Sequence, residues 1–310
     1  MGSIDGFKLA LIVVSAVAVL ASVVEAVVLW RLNRPYDWRE AGASLVVALG
    51  REFTNLLPLA IALPGGFWLY EHRLWTAPLD TAWGWVLLFL GVEFFYYWFH
   101  RGAHRIRWFW ATHAVHHSSN RLNFSSAYRL GWTGRFTGIL VYFVPLAWLG
   151  FPPQAIAAAF TINLLYQFWI HAEWIPRLGP LEGILNTPSA HRVHHGANLD
   201  YLDANYGGIL MVFDRLFGTY VAERDDLKPR CGLVVPLQSY NPLRIAFFQW
   251  IAIAGDLRHA RSLREIAGYL FGPPGWAPDG QGLTTENLRR RARSGRAEPL
   301  QELPPYPLPR

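Results

Sequence analysis

Residues 79–104 read LDTAWGWVLLFLGVEFFYYWFHRGAH, and this stretch decides how the rest of the chain is read. From Leu79 to Phe99 it is apolar, with Glu93 the one acid in its interior. About 20 such residues in an α-helix cover the hydrocarbon core of a bilayer. The same helical run then reaches His100 and His104, four apart and so on one face. An apolar span ending in paired imidazoles predicts a membrane helix whose last turn carries chemistry.

Other apolar segments lie on either side. Leu9 to Trp30 is long enough to span, and it lacks a small-residue cleavage site and a charged leader beyond Lys8. It reads as a retained transmembrane helix, with Glu25 close to its end. Ala41 to Tyr70 is broken by Arg51 and Glu52 and by the turn signal Leu63-Pro64-Gly65-Gly66. Phe136 to Phe151 and Gln154 to Ile170 flank Pro152-Pro153, which predicts a helical hairpin. Each arm is short for a full span, so the hairpin is expected to be shallow or tilted. The expected fold is an all-α polytopic membrane bundle of about four to five inserted helices under a histidine-rich cap. Three regions follow: transmembrane helices in 1–99, a histidine-rich catalytic region in 100–240 that includes hairpin 136–171, and an amphipathic C-terminal segment in 241–310. From Gly272 onward Pro and Gly are frequent, and a loosely ordered tail is expected.

Composition agrees with a membrane setting. Charged residues make up 16% of the 310, against about 25% in soluble domains. The apolar fraction is 52% and mean hydropathy is positive. The 15 Trp, 13 Tyr and 19 Phe suit membrane interfaces, and Phe94 to Trp98 could line a lipid entrance or form an interfacial belt. The single cysteine, Cys231, excludes an intrachain disulfide framework and any thiolate-rich metal site.

The net charge of +6 is unevenly placed. Lys and Arg in short loops mark the cytoplasmic side. Arg31, Arg34 and Arg39 put the end of the first helix inside, and Glu71, His72, Arg73 and Asp80 then fall outside. His100 to Arg135, with Arg101, Arg105, Arg107, Arg121, Arg129 and Arg135 and no acid, returns to the cytoplasm. The hairpin delivers His171 to that same side, and the N-terminus is expected outside. Membrane-proximal charge accounts for these arginines, so no nucleic-acid partner is expected. The run Arg289, Arg290, Arg291 and Arg293 reads as solvated or facing lipid headgroups.

Nine of the eleven histidines fall between His100 and His195. They form HRGAH (His100, His104), HAVHH (His113, His116, His117) and HRVHH (His191, His194, His195), with His171 alone between them. Helical spacings of three and four place these imidazoles on one side of each segment, and so many exceed what one ion accepts. Two ions are expected. Imidazole suits Fe, Zn, Cu and Ni, while the lack of thiolate and of HExxH or HxxEH argues against finger-type zinc and zinc peptidases. An all-nitrogen pair of redox ions favours activation of O₂. His72 and His259 stand outside the motifs and read as ordinary polar residues. A metal-bound histidine usually donates its other N–H to a carboxylate or carbonyl. Glu93, two turns before His100, is the carboxylate chosen for that role in catalysis; Glu173, Asp200, Asp203 and Asp214 also lie near the later motifs.

The order HxxxH, HxxHH, HxxHH after an apolar helix resembles the fatty acid hydroxylase and sterol desaturase superfamily, from about Glu93 to Tyr220. FYYWFHRGAH, THAVHHSSNRLNFSSAYR, NTPSAHRVHHGANLDYLDANYGGILMVFDRLFGTY and GPPGWAPDG look closest to its alkylglycerol monooxygenase branch. The resemblance implies two irons, with zinc as an alternative in isolated protein, and O₂ as oxidant. The ligands would be the eight motif histidines with His171; Ile175 stands where some relatives have a further histidine, so the count is nine rather than ten. It implies hydroxylation of a fatty acyl, ether-lipid or sterol-like substrate, with ether cleavage where the hydroxyl lands beside an ether oxygen. Desaturation is the alternative, and a haem-binding electron-transfer protein is the rival of another class. The external reductant would be tetrahydrobiopterin or a cytochrome or ferredoxin partner, for which the arginine-rich surface is a docking candidate.

Overall fold

The computed structural model describes residues 2–55 and 63–295. Among these residues all regular structure is helical, apart from three isolated β-bridges. Helix α1 (Gly2–Arg31) and α2 (Trp38–Asn55) are followed by α3 (Leu63–Glu71). The expected turn at Leu63-Pro64-Gly65-Gly66 is therefore the first turn of a helix. Proline fits there because a helix's first N–H groups have no internal partner to lose. Residues 56–62, between α2 and α3, lie outside the described residues.

Helix α4 (Ala82–Arg105) is the element the sequence reading began from. It starts at Thr81, whose side chain accepts from the Gly84 amide at 3.2 Å, satisfying one of the unpaired N–H groups of a helix start. It ends at Ile106, a single extended residue that also begins α5 (Arg107–His117). One non-helical residue thus redirects the chain, so the last turn of α4 and the last turn of α5 carry their histidines toward each other. A capping box at Asn123 starts the short α6 (Phe124–Ala127).

The hairpin forms with its apex at Pro152-Pro153. Its first arm is a 3-10 turn (Ile139–Phe143) running into α7 (Val144–Leu149), and its second is α8 (Pro153–Trp169). Leu88, Val92 and Tyr96 of α4 pack against Phe143, Leu146 and Ile156 of the hairpin. Beyond it come α9 (Pro188–His194), α10 (Val212–Leu216), α11 (Pro242–His259), α12 (Leu263–Phe271) and α13 (Thr285–Arg293). A second core joins Val47 of α2, Val115 of α5 and Ile245 and Phe248 of α11.

Two described helices are long and apolar enough to cross a membrane, over Val13–Arg31 and Ala82–Arg105. Both expose apolar side chains, such as Val17 and Leu20 on α1 and Trp83 and Phe89 on α4. The arm Ile139–Leu149 is shorter.

Several charges are spent inside the protein. Of the six arginines between His100 and Arg135, four meet acids from distant parts of the chain: Arg105 with Asp203 and Glu286, Arg107 with Asp256, Arg121 with Glu173, and Arg129 with Glu40. The sequence expectation counted acids only within the segment and so missed these pairs.

The expected loose tail is corrected for residues 272–295. The Arg107 amide donates to Gly272 O at 3.0 Å, Asn287 Nδ2 donates to Gly280 O and Gly282 O, and Arg289 donates to Leu202 O. Trp276 packs on Tyr269 with ring centroids 5.2 Å apart. The Pro and Gly residues shape a fitted strap here. Residues 296–310 lie outside the described residues.

Candidate metal centre

All nine histidines between His100 and His195 meet in one place, in two groups. His100, His104, His113, His117 and His194 form one, and His116, His171, His191 and His195 the other; within each, the ligand atoms lie within 4.8 Å of one another. Both HxxHH motifs divide between the groups. His113 and His117 join the first while His116 turns to the second; His191 and His195 join the second while His194 turns to the first. The stacked rings of His117 and His195, 4.3 Å apart, lie where the two groups touch.

The hydrogen bonds fix which nitrogen faces inward. Nδ1 of His100 donates to Tyr206 O at 2.9 Å, Nδ1 of His194 to Ala204 O at 3.0 Å, and Nδ1 of His171 to Gln167 O at 2.7 Å. A neutral imidazole has one N–H, so each of these rings turns a bare Nε2 toward the group. Within each group, Nε2 atoms of neighbouring rings lie close together. His113 Nε2 is 3.0 Å from His100 Nε2 and 3.2 Å from His117 Nε2. His191 Nε2 is 2.9 Å from His171 Nε2 and 3.1 Å from His195 Nε2. Bonds of about 2.1 Å to one ion place adjacent nitrogens about 3.0 Å apart in an octahedral shell. Nε2 of His104 and His194 are buried with no hydrogen-bond partner. Converging lone pairs and orphaned buried nitrogens fit a pair of cations.

Burial sets the protonation states. It holds His113, His116, His117, His191 and His195 well below the ordinary histidine range, with neighbouring imidazoles adding to the effect. Burial lowers His194 to about 4. These rings are neutral at pH 7, the state that binds metals.

Glu93 does not take the role the sequence assigned to it. Its carboxylate accepts from the Asn163 side chain and from the amides of Ile209 and Leu210, at 2.9 and 2.7 Å, and bonds no histidine. Asp214 accepts from the amides of Tyr206 and Gly207, both at 2.7 Å. Asp200 pairs with Arg224, and Glu173 accepts from the Leu122 amide. Asp203 lies 3.8 Å from His104 Nδ1, beyond hydrogen-bond range, and pairs with Arg105 instead. Backbone carbonyls orient His100, His194 and His171, and the carboxylates of Glu93 and Asp214 hold the loop that supplies two of those carbonyls.

Asn205 is the residue that sequence reasoning missed. It is fully buried, in left-handed backbone with φ 59°, between the two carbonyls that receive His194 and His100. Its side chain donates to Ala190 O and Val221 O and accepts from the Val221 amide. Asn tolerates left-handed backbone better than most residues, which is the faint signal LDANYGG carries. Helix α9 is fixed in turn by Thr187, which accepts from the Ala190 amide, with Pro188 at its first position.

His72 and His259 stay outside the cluster, each exposed and donating from Nδ1 to a carbonyl four residues back. The aromatic run divides. Tyr96 and Tyr97 are buried, Tyr96 donating to Gln167 Oε1, while Phe94 packs on Phe213 and Trp98 on Phe217. A cavity of about 160 Å³ reaches His104, His117 and His194, walled by Trp110, Leu202, Leu233 and the strap at Pro273 and Pro274. It touches none of the four-histidine group.

Residues 85–219 match the model of the fatty acid hydroxylase family. The chain is 40% identical over 257 residues to an alkylglycerol monooxygenase of Homo sapiens, covering 82% of this chain and 57% of that protein. It is 42% identical over 208 residues to the alkylglycerol monooxygenase of Xenopus tropicalis, 67% of this chain and 46% of that one. An ornithine lipid hydroxylase of Rhizobium tropici is 31% identical over 182 residues, 58% of this chain and 54% of that one. The chain thus spans about half the length of these curated relatives. No solved structure matches it.

Proposed function

From the premise that this chain carries a fatty acid hydroxylase domain and is homologous to alkylglycerol monooxygenases, we propose that it is a membrane-bound di-iron oxygenase that hydroxylates a lipid. The observation that carries the reading is the division of nine imidazoles into groups of five and four with bare nitrogens converging in each. His100, His104, His113, His117 and His194 would hold one ion, and His116, His171, His191 and His195 the other. When bound, the two irons supply the redox chemistry that activates O₂ against a C–H bond. Inserting one oxygen atom leaves the other to become water, so each turnover draws two electrons from an external reductant, either a reduced pterin or a cytochrome or ferredoxin.

The protein's own residues do the rest. The carbonyls of Tyr206, Ala204 and Gln167 hold three imidazoles in the tautomer that faces inward, and burial keeps the cluster neutral. The cavity presents substrate to the five-histidine group alone, between Trp110 and Leu233, with the strap at Pro273 and Pro274 forming part of its wall. Hydroxylation beside an ether oxygen would release the chain as an aldehyde, which is how the same site would cleave an ether lipid. Helices α1 and α4 anchor the domain in the bilayer and the 41–70 segment crosses back between them, so that the N-terminus is outside, the histidine region lies on the cytoplasmic side, and the α7–α8 hairpin dips in from the cytoplasmic face.

The test is lipid mass spectrometry on cells producing the wild type or His194→Ala, with and without O₂. A lipid that gains one oxygen or loses an ether chain only with wild type and O₂ supports the reading. Loss of two hydrogens instead would make the enzyme a desaturase. An unchanged lipid profile from metal-loaded wild type, in a host supplied with ether lipids and fatty acids, would count against it.

A further inference from the structure

Glu25 is a buried acid that the cluster does not use. It lies in the last two turns of α1, on a buried face with Ser22, Ala26 and Leu29, while Val23, Val24, Val27 and Trp30 are exposed. Its own exposure is 1%, in a helix apolar and long enough to cross a membrane. Its two oxygens go to two different parts of the chain. Oε2 accepts from the Phe124 amide at 2.7 Å, and Oε1 accepts from the Trp174 indole N–H at 2.9 Å. Phe124 opens α6, just past the loop that follows α5, and Trp174 stands three residues beyond His171 in the loop that follows α8. The same two loops are joined again beside Glu25. The Leu122 amide donates to Glu173 Oε1 at 2.9 Å, and the Glu173 amide donates to Leu122 O at 3.1 Å. The Phe124 ring packs on Phe168 and Trp174, with centroids 5.0 and 6.4 Å apart.

These two loops flank members of the four-histidine group. Helix α5 ends on His116 and His117, His171 follows the last turn of α8, and the Nε2 atoms of His116 and His171 are 3.1 Å apart. His171 is the one histidine of the nine that the hairpin delivers, and it belongs to that group alone. The five-histidine group takes its members from α4, α5 and the α9 motif, and none from the hairpin. An ionisable side chain inside a membrane helix is costly, and a functional role is its default reading. The two donors also explain why a carboxylate stands here. Amide and indole N–H groups only donate, so bridging them takes an acceptor at each end; a glutamine would accept at one oxygen and turn its own NH₂ toward the other donor. We propose that Glu25 is a positioning residue for the four-histidine group. By bridging Phe124 and Trp174 it holds the His171 loop against the end of α5, so the ion of that group is retained only while α1 is seated. The inference rests on the dinuclear reading above and adds to it a link between the membrane anchor and one of the two ions.

The experiment counts ions rather than turnover. Full-length protein, monodisperse and with the circular dichroism of wild type, is dialysed against a chelator set to leave wild type with two ions per chain. Losing an outer support of a ligand typically lowers metal affinity about 10–100-fold. Glu25→Ala should therefore keep nearly one ion, and Glu25→Gln, which restores one of the two bonds, should fall between one and two. Trp174→Phe keeps the ring and removes a single bond. Chelator competition should show one of its ions weakened about tenfold, the low end of that range, and the other as in wild type. Adding His191→Ala to Glu25→Ala should leave the count at nearly one, because both changes act on the same ion. Two fully retained ions in Glu25→Ala overturn the inference. Where that variant yields no folded protein, Trp174→Phe decides, and two unchanged affinities overturn the inference. A count near zero in Glu25→Ala, or a double variant well below either single one, makes Glu25 a support of the whole fold and overturns it too. Wild type that never holds more than one ion overturns the dinuclear reading itself.

Discussion

Removing one histidine should have different consequences in the two groups. His113 and His191 are each the first histidine of an HxxHH motif, so sequence position alone makes them equivalent. The structure separates them: His113 belongs to a group of five and His191 to a group of four. His113→Ala leaves four imidazoles around its ion, and His191→Ala leaves three. Losing even an outer partner of a ligand typically lowers metal affinity about 10–100-fold, and losing the ligand itself should do at least as much. The drop starts from a fuller shell at His113 and from a poorer one at His191. After dialysis against a chelator set to leave wild type with two ions, His113→Ala should keep nearly two per chain and His191→Ala nearly one. The assay is metal analysis of monodisperse protein whose circular dichroism matches wild type, with His72→Ala and His259→Ala as controls. Equal metal loss in the two variants, or greater loss from His113→Ala, would refute the five-and-four division.

Three further outcomes follow from the same geometry. Glu93→Ala strips the acceptor from the Asn163 side chain and from two buried amides, so stability should fall by about 3 kcal/mol or more, and Glu93→Gln should recover part of it; equal unfolding midpoints for wild type and Glu93→Ala would contradict this. Asn205→Ala and Asn205→Gly both lose the side-chain bonds, yet only alanine is strained at φ 59°, so the glycine variant should be the more stable by about 1 kcal/mol in denaturant unfolding. His194, lowered to about 4 by burial, binds fewer protons folded than unfolded between pH 4 and its ordinary value near 6.5. Stability of the metal-free protein should therefore be greatest above pH 6.5 and fall as pH drops toward 4, by about 1.4 kcal/mol per pH unit for each such group; thermal melts that stay level or rise on acidification would show the sign to be wrong.

The motif histidines were legible because helical spacing alone puts HxxxH and HxxHH on faces suited to metals, whereas His171, a lone histidine at the end of the hairpin, was assigned only through the family resemblance. The long apolar helix was legible for the same reason of local periodicity. What escaped the sequence is non-local or carried by the backbone. Glu93 shares a helical face with His100, but its partners are amides more than 110 residues away, at Ile209 and Leu210. The carbonyls of Ala204, Tyr206 and Gln167 have no side-chain signature at all. The strap after Gly272 looked disordered because its order comes from Arg107, Leu202 and Asn287 rather than from its own periodicity.

The division of each motif between two groups follows from helix geometry, and it explains why the motif is HxxHH and why two copies are needed. At about 100° per residue, the first and third histidines of HxxHH lie about 40° apart, while the middle one lies about 60° from the first on its other side. One helix can therefore direct a pair of imidazoles to one ion and a single imidazole past it to a neighbour. Helix α5 does this in one sense with His113 and His117 against His116, and the last turn at α9 does it in the opposite sense with His191 and His195 against His194. Facing each other, the two copies yield three imidazoles per group. The HxxxH pair of α4 raises one to five, and His171 raises the other to four. The asymmetry between the two groups thus comes from the parts of the pattern that are not duplicated, and the cavity opens on the group that α4 serves.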